Sequence, residues 1–80
     1  MSYDLWVDFQ RMHDDGRLLA RARNAEPGVV LMPGAYIVVG CEDAEPAVAQ
    51  ILTASADGSL ELRVLDGSVE EHRSLLAASA

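Results

Sequence analysis

Two stretches of this chain alternate apolar and polar residues with the period of a half-buried β-strand. In residues 3–12, Tyr3, Leu5, Val7 and Phe9 interleave with Asp4, Trp6, Asp8 and Gln10. In residues 17–25, Leu18, Ala20 and Ala22 interleave with Arg17, Leu19, Arg21 and Arg23. The polar run Met12-His13-Asp14-Asp15-Gly16-Arg17 lies between them. A tight turn there predicts an antiparallel hairpin. Its register sets Asp8 opposite Arg21 and Trp6 opposite Arg23 on one face, with Val7 opposite Ala22 and Phe9 opposite Ala20 on the other. A helix competes for 17–25, because Leu, Ala and Arg are good helix formers, but the cross-strand charge match favours strand.

Glu26-Pro27-Gly28 and Met32-Pro33-Gly34 read as turns, with Pro setting φ at the second position and Gly accepting positive φ at the third. Val29-Val30-Leu31 between them reads as a short extended piece. Residues 35–41 are uncharged, continuous and β-branched, the pattern of a buried strand, and Gly40 within it marks a bulge or a close backbone approach. After an acidic loop, Glu42 to Pro46, residues 47–56 and 60–66 predict a second hairpin with Asp57-Gly58 as a type I′ tip. That tip sets Ile51 opposite Val64 and Thr53 opposite Leu62 inward, and Leu52 opposite Arg63 and Ala54 opposite Glu61 outward. Ser68-Val69-Glu70-Glu71 has the form of a capping box, opening a short helix over roughly 69–77 with Val69, Leu75 and Leu76 apolar.

These elements predict one mostly β domain over residues 1–80. The expected architecture is a small five-stranded antiparallel SH3-like barrel, or a strongly bent sheet, with a short C-terminal helix. The stretch from Pro33 to Leu65 resembles SH3-like barrels: a Pro-Gly turn, a hydrophobic strand, a polar loop and two strands joined by an Asp-Gly turn. Such barrels include peptide binders, RNA binders and subunits of larger machines, so the resemblance implies a fold and leaves the function open.

Composition narrows the partners. A chain of 80 residues with one Trp, one Phe and two Tyr builds a thin core. Help from oligomerisation is expected, since a single cysteine, Cys41, forms no internal disulfide. The net charge is −7, and it is uneven. Residues 1–25 balance four acids with four arginines, whereas residues 26–80 carry nine acids against two arginines. An acidic body disfavours nucleic acid and anionic membrane surfaces as partners. No apolar run approaches the ~20 residues that cross a bilayer. The opening residues lack the basic and apolar regions of a secretory leader, so a cytoplasmic location is expected.

Reactive side chains are sparse. His13, His72 and Cys41 fall in a turn, a helix and a strand end, without the paired spacing of metal ligands. A Cys41–His72 nucleophile is opposed by Glu42 and Asp43, whose charge disfavours the thiolate. Neither Glu42-Asp43-Glu45 nor Asp14-Asp15-Gly16 has the spacing of a calcium loop, and the glycines serve turns rather than a phosphate cradle. No catalytic residue, metal ligand or cofactor is therefore assigned, and no enzyme activity is expected. Recognition is the stronger expectation. Trp6, set among Asp8, Leu19, Arg21 and Arg23 on the polar face, suits a partner-binding surface. The competing reading has Trp6 covered by the C-terminal helix through Leu75 and Leu76. The expected function is a non-catalytic interaction module or small accessory subunit that binds a protein or itself. A homodimer would form by edge pairing of the first hairpin or by burial of Trp6 and Leu19. The alternative is an acidic inhibitor occupying a basic, nucleic-acid-binding groove of another protein through Glu42, Asp43, Glu45, Asp57, Asp66, Glu70 and Glu71.

Overall fold

A computed structural model describes residues 3–79. Five strands, β1 (Leu5–Trp6), β2 (Arg17–Arg21), β3 (Tyr36–Cys41), β4 (Ala44–Ala54) and β5 (Ser59–Val64), form one curved sheet in the order β1-β3-β4-β5-β2. The sheet bends into a half-barrel compatible with a small SH3-like barrel. A 3-10 turn at Glu70–His72 leads into a short C-terminal helix, α1 (Arg73–Ser79). The mostly β fold with a terminal helix is as the sequence predicts. The sheet is mixed rather than wholly antiparallel, because β1 runs parallel to β3.

The first hairpin is the main correction. β1 and β2 are not neighbours. They are the two edges of the sheet, β1 beside β3 and β2 antiparallel to β5, with Leu18 opposite Leu62 and Ala20 opposite Leu60. Asp8 does not face Arg21, and Trp6 does not face Arg23 across a ladder. The sorting of faces nevertheless holds. Leu5, Val7 and Leu18 are buried, Phe9, Ala20 and Ala22 pack against the core, and Leu19, Arg21 and Arg23 are exposed. Period-two alternation records which face meets the core, and carries no information on which strand lies alongside.

Two features dock β1 on β3. The Asp4 N–H donates to Val38 O at 2.7 Å, and the Asp4 carboxylate accepts the Val38 N–H at 3.0 Å, so the side chain adds a rung. Gly40 then lets the Tyr3 ring lie against the backbone, where a Cβ would come within 2.7 Å of it. The register shift between Val39 and Cys41 is the expected bulge.

The Pro-Gly turns close as predicted: Val29 N–H donates to Glu26 O and Ala35 N–H to Met32 O, with Gly28 and Gly34 at positive φ. Val29-Val30-Leu31 forms no strand; Val29 and Leu31 pack on the core. β4 and β5 pair as a hairpin, but with Ile51 opposite Leu62 and Thr53 opposite Glu61. The tip is not type I′, which needs positive φ at both central residues, and only Gly58 has it. Gly58 N–H donates to Ser55 O and Ser55 N–H to Ser59 O, a three-residue loop ending in a bulge glycine. That loop turns Thr53 outward, and a second register shift between Ile51 and Thr53 keeps Ile51 inward opposite Leu62.

The core gathers Leu5, Val7, Leu18, Ile37, Val39, Ala49, Ile51, Leu60 and Leu62. Burying each large aliphatic side chain contributes about 1.5–3 kcal/mol. Val48 is equally buried but lies outside that cluster, paired with Val38. Helix α1 packs against β3, and Leu76 lines a recess with Tyr36 and Val38. Cover on both faces explains why residues 35–41 read as an unbroken apolar run. Ser68 accepts the Glu71 N–H at 3.3 Å, as the capping box predicts, and its hydroxyl donates to the Glu71 carboxylate. No helix among the described residues is long and apolar enough to cross a membrane.

Candidate functional site

With β1 and β2 at opposite edges, the sheet closes on itself only in part. After β2, a 3-10 turn (Ala22–Asn24) carries the chain across to β1, where Ala25 bridges Leu5 and the Glu26 N–H donates to Asp4 O at 2.8 Å. Before β2, His13 and Arg17 share one rung. Between those two closures the edges stand apart.

A groove of about 630 Å³ occupies that seam. All five residues expected at a partner surface, Trp6, Asp8, Leu19, Arg21 and Arg23, line it. They converge through the curvature of the sheet and not through the hairpin pairing that first suggested them. Arg11 and His13 from the β1–β2 connection complete the polar wall, while Val7 and Ala20 form its apolar floor.

Each side chain is placed by a local cause. Asp8 caps the 3-10 turn at Phe9–Arg11, accepting the Gln10 N–H at 3.1 Å, and its carboxylate lies 3.5 Å from Arg11 Nε. Trp6 is half-buried, and its indole N–H donates to the Glu42 carboxylate at 3.0 Å. That bond holds one edge of the ring and leaves the rest beside the groove. The helix residue Leu76 sits instead with Tyr36 and Val38. Arg21 donates to the Ser59 hydroxyl at 3.3 Å. Arg23 makes no hydrogen bond or ion pair among the described residues. Leu19 is 72% exposed, the most exposed large apolar side chain among the described residues.

Electrostatically the groove inverts the molecule. Three arginines and one aspartate line it in a chain of net charge −7. Such a surface attracts negative charge, and an indole beside guanidinium groups adds a flat apolar anchor.

Sequence reasoning missed Glu42 as the partner of Trp6. Thirty-six residues separate them, and only the β1–β3 pairing brings the β3–β4 turn alongside. Elsewhere, His72 directs Nε2 to Asp66 O at 2.6 Å, and Cys41 is a half-buried free thiol at the end of β3. His72 and Cys41 share no hydrogen bond. Among the described residues, no three His, Cys, Asp or Glu side chains converge as metal ligands. Compared with protein-family models, curated proteins and solved structures, the chain matches none of them.

Proposed function

We propose that this protein is a non-catalytic interaction module that recognises a protein partner through the seam groove. The convergence of Trp6, Asp8, Leu19, Arg21 and Arg23 on one concave, cation-rich surface carries the reading. Exposed Leu19 supports it, as does Arg23, which has no partner among the described residues, because both are left for a partner to satisfy. Trp and Arg are the residues that most often dominate binding energy in such patches.

The acidic-inhibitor alternative needs seven carboxylates on one surface. Asp57 lies at the β4–β5 turn, at the far end of β4 from Glu42, Asp43 and Glu45, and no observation favours that reading.

A photo-crosslinking residue at position 19, compared with one at exposed Met32, tests the groove in the native cell. The module should give a discrete protein adduct from position 19 that disappears when Trp6→Ala and Arg23→Ala are combined. An adduct of twice the chain's mass would identify the partner as a second copy. Equal trapping from both positions, or none from position 19, contradicts the reading.

A further inference from the structure

We propose that the groove takes its partner by strand addition: an extended acidic segment pairs with the open edge of β2 at Leu19 and Arg21. This rests on the interaction-module reading and specifies the chemistry of the partner.

The ladder fixes which backbone groups are available. Val64 N–H donates to Gly16 O and Ala22 N–H to Gly58 O, both at 2.8 Å, at the two ends of the β2–β5 pairing. Hydrogen-bonded pairs alternate along an antiparallel ladder. Leu18 and Ala20 therefore turn their N–H and C=O toward β5, and Leu19 and Arg21 turn theirs outward. Arg17 uses its outward groups within the chain, donating to the Asp15 carboxylate and accepting from His13 N–H. Among the described residues the Leu19 N–H and C=O and the Arg21 N–H are left as a free rung, and both residues line the groove. β1, the strand that would cover them in a hairpin, is taken by β3.

An unpaired edge is a template for another strand unless charge, a bulge or a covering segment blocks it. Among the described residues no strand pairs with this one, and the neighbouring 3-10 turn at Phe9–Arg11 makes no backbone hydrogen bond to it. The walls then set the character of the incoming strand. Its side chains alternate between two faces. One face meets Arg21 and Arg23, which suit carboxylates. The other meets the floor, where half-buried Ala20 lies beside the buried Val7, which suits small or branched apolar residues. An alternating acidic–apolar peptide satisfies both. Backbone pairing of this kind suits a polypeptide and offers nothing to a nucleic-acid strand.

The probe is a capped Glu-Leu-Asp-Leu-Glu peptide titrated into the full chain and followed by amide NMR. N-methylated forms, a Lys-for-acid form and a uridine oligonucleotide serve as competing probes. Strand addition predicts that the Leu19 and Arg21 amides shift and gain exchange protection. N-methylation should weaken binding tenfold or more at alternate positions and less than threefold at those between. Arg21→Gln with Arg23→Gln should weaken it at least tenfold, and the Lys form should not bind. Leu19→Pro removes an outward N–H and spares the ladder to β5, so it should abolish binding in a folded protein. Binding indifferent to N-methylation at every position overturns strand addition and leaves the module reading standing. Equal binding of the Lys form, preference for the oligonucleotide, or a dimer filling the edge each overturns the acidic segment. No peptide binding at millimolar concentration overturns the proposal, and the module reading falls with it only if crosslinking from position 19 also fails.

Discussion

The chain makes the same turn twice, and the two copies lead to different structures. Around Gly16, the His13 N–H donates to Arg17 O, Gly16 N–H to His13 O, and Arg17 N–H to the Asp15 carboxylate. Around Gly58, Ser55, Ser59 and Asp57 repeat the pattern to within about 0.1 Å. The second turn opens a long β4–β5 ladder. The first ends after one rung: residues 9–11 curl into a 3-10 turn and β1 leaves for β3. Turn chemistry thus governs about five residues. Beyond them, the partner strand is chosen by which apolar face finds cover. Ala49, Ile51, Leu60 and Leu62 supply that cover on both arms of the second turn. Before the first, Gln10, Arg11 and Met12 are exposed, and of residues 9–12 Phe9 alone packs on the core.

The largest contrast between adjacent side chains lies within β2. Leu18→Ala should destabilise the protein by about 2–5 kcal/mol, since its side chain is buried against Leu62. Leu19→Ala, one residue on, should stay within about 0.5 kcal/mol. Urea unfolding of both variants decides it, and similar losses would mean that the faces of β2 are wrongly assigned.

Glycine substitutions come next, because the two turns differ in their surroundings. Both glycines have φ near +90°. A Cβ on Gly16 would also meet Val64 O at 2.6 Å, whereas one on Gly58 meets nothing within 4 Å. Gly58→Ala should cost about 1–2 kcal/mol from backbone strain alone. Gly16→Ala should cost about 2–4 kcal/mol, the added part arising from a clash with backbone. Equal melting temperatures for the two variants would contradict the close approach of the first turn to β5.

The smallest effect is a likeness. The Arg17 amide holds the Asp15 carboxyl below the usual aspartate range, with the Arg17 guanidinium contributing less. The amide and then the hydroxyl of Ser59 do the same for Asp57. A depressed folded-state pKa adds stability above the unfolded-state pKa, which is lost as pH falls through the folded value. Asp15→Asn and Asp57→Asn should therefore each flatten the loss of stability on acidification below about pH 4 and leave the curve's shape near neutrality unchanged. Urea midpoints across that range measure this, and an unaltered acid limb would show that the amides do not grip these carboxylates.

Much of the fold was legible because its signals are local. Pro27-Gly28 and Pro33-Gly34 demanded turns, Gly40 announced its bulge, and Ser68 with Glu71 marked a helix start. The error at Thr53 came from reading Asp57-Gly58 as a two-residue tip, when Gly58 alone takes positive φ. The β1–β3 pairing was hidden, because it depends on the Asp4 carboxylate reaching Val38 and Tyr3 lying on Gly40, contacts between residues more than thirty positions apart. The groove residues were found through their polar setting and type, and the pairing proposed for them was wrong. Curvature of the whole sheet brings them together, and no local pattern encodes it.

Amide hydrogen exchange along β2 in the free protein tests the open edge most directly. The account predicts slow exchange at Leu18 and Ala20, whose N–H groups bond β5, and fast exchange at Leu19 and Arg21. Four equally protected amides, with Leu19 and Arg21 close to Asp8 and Gln10, would restore the hairpin and remove the docking edge.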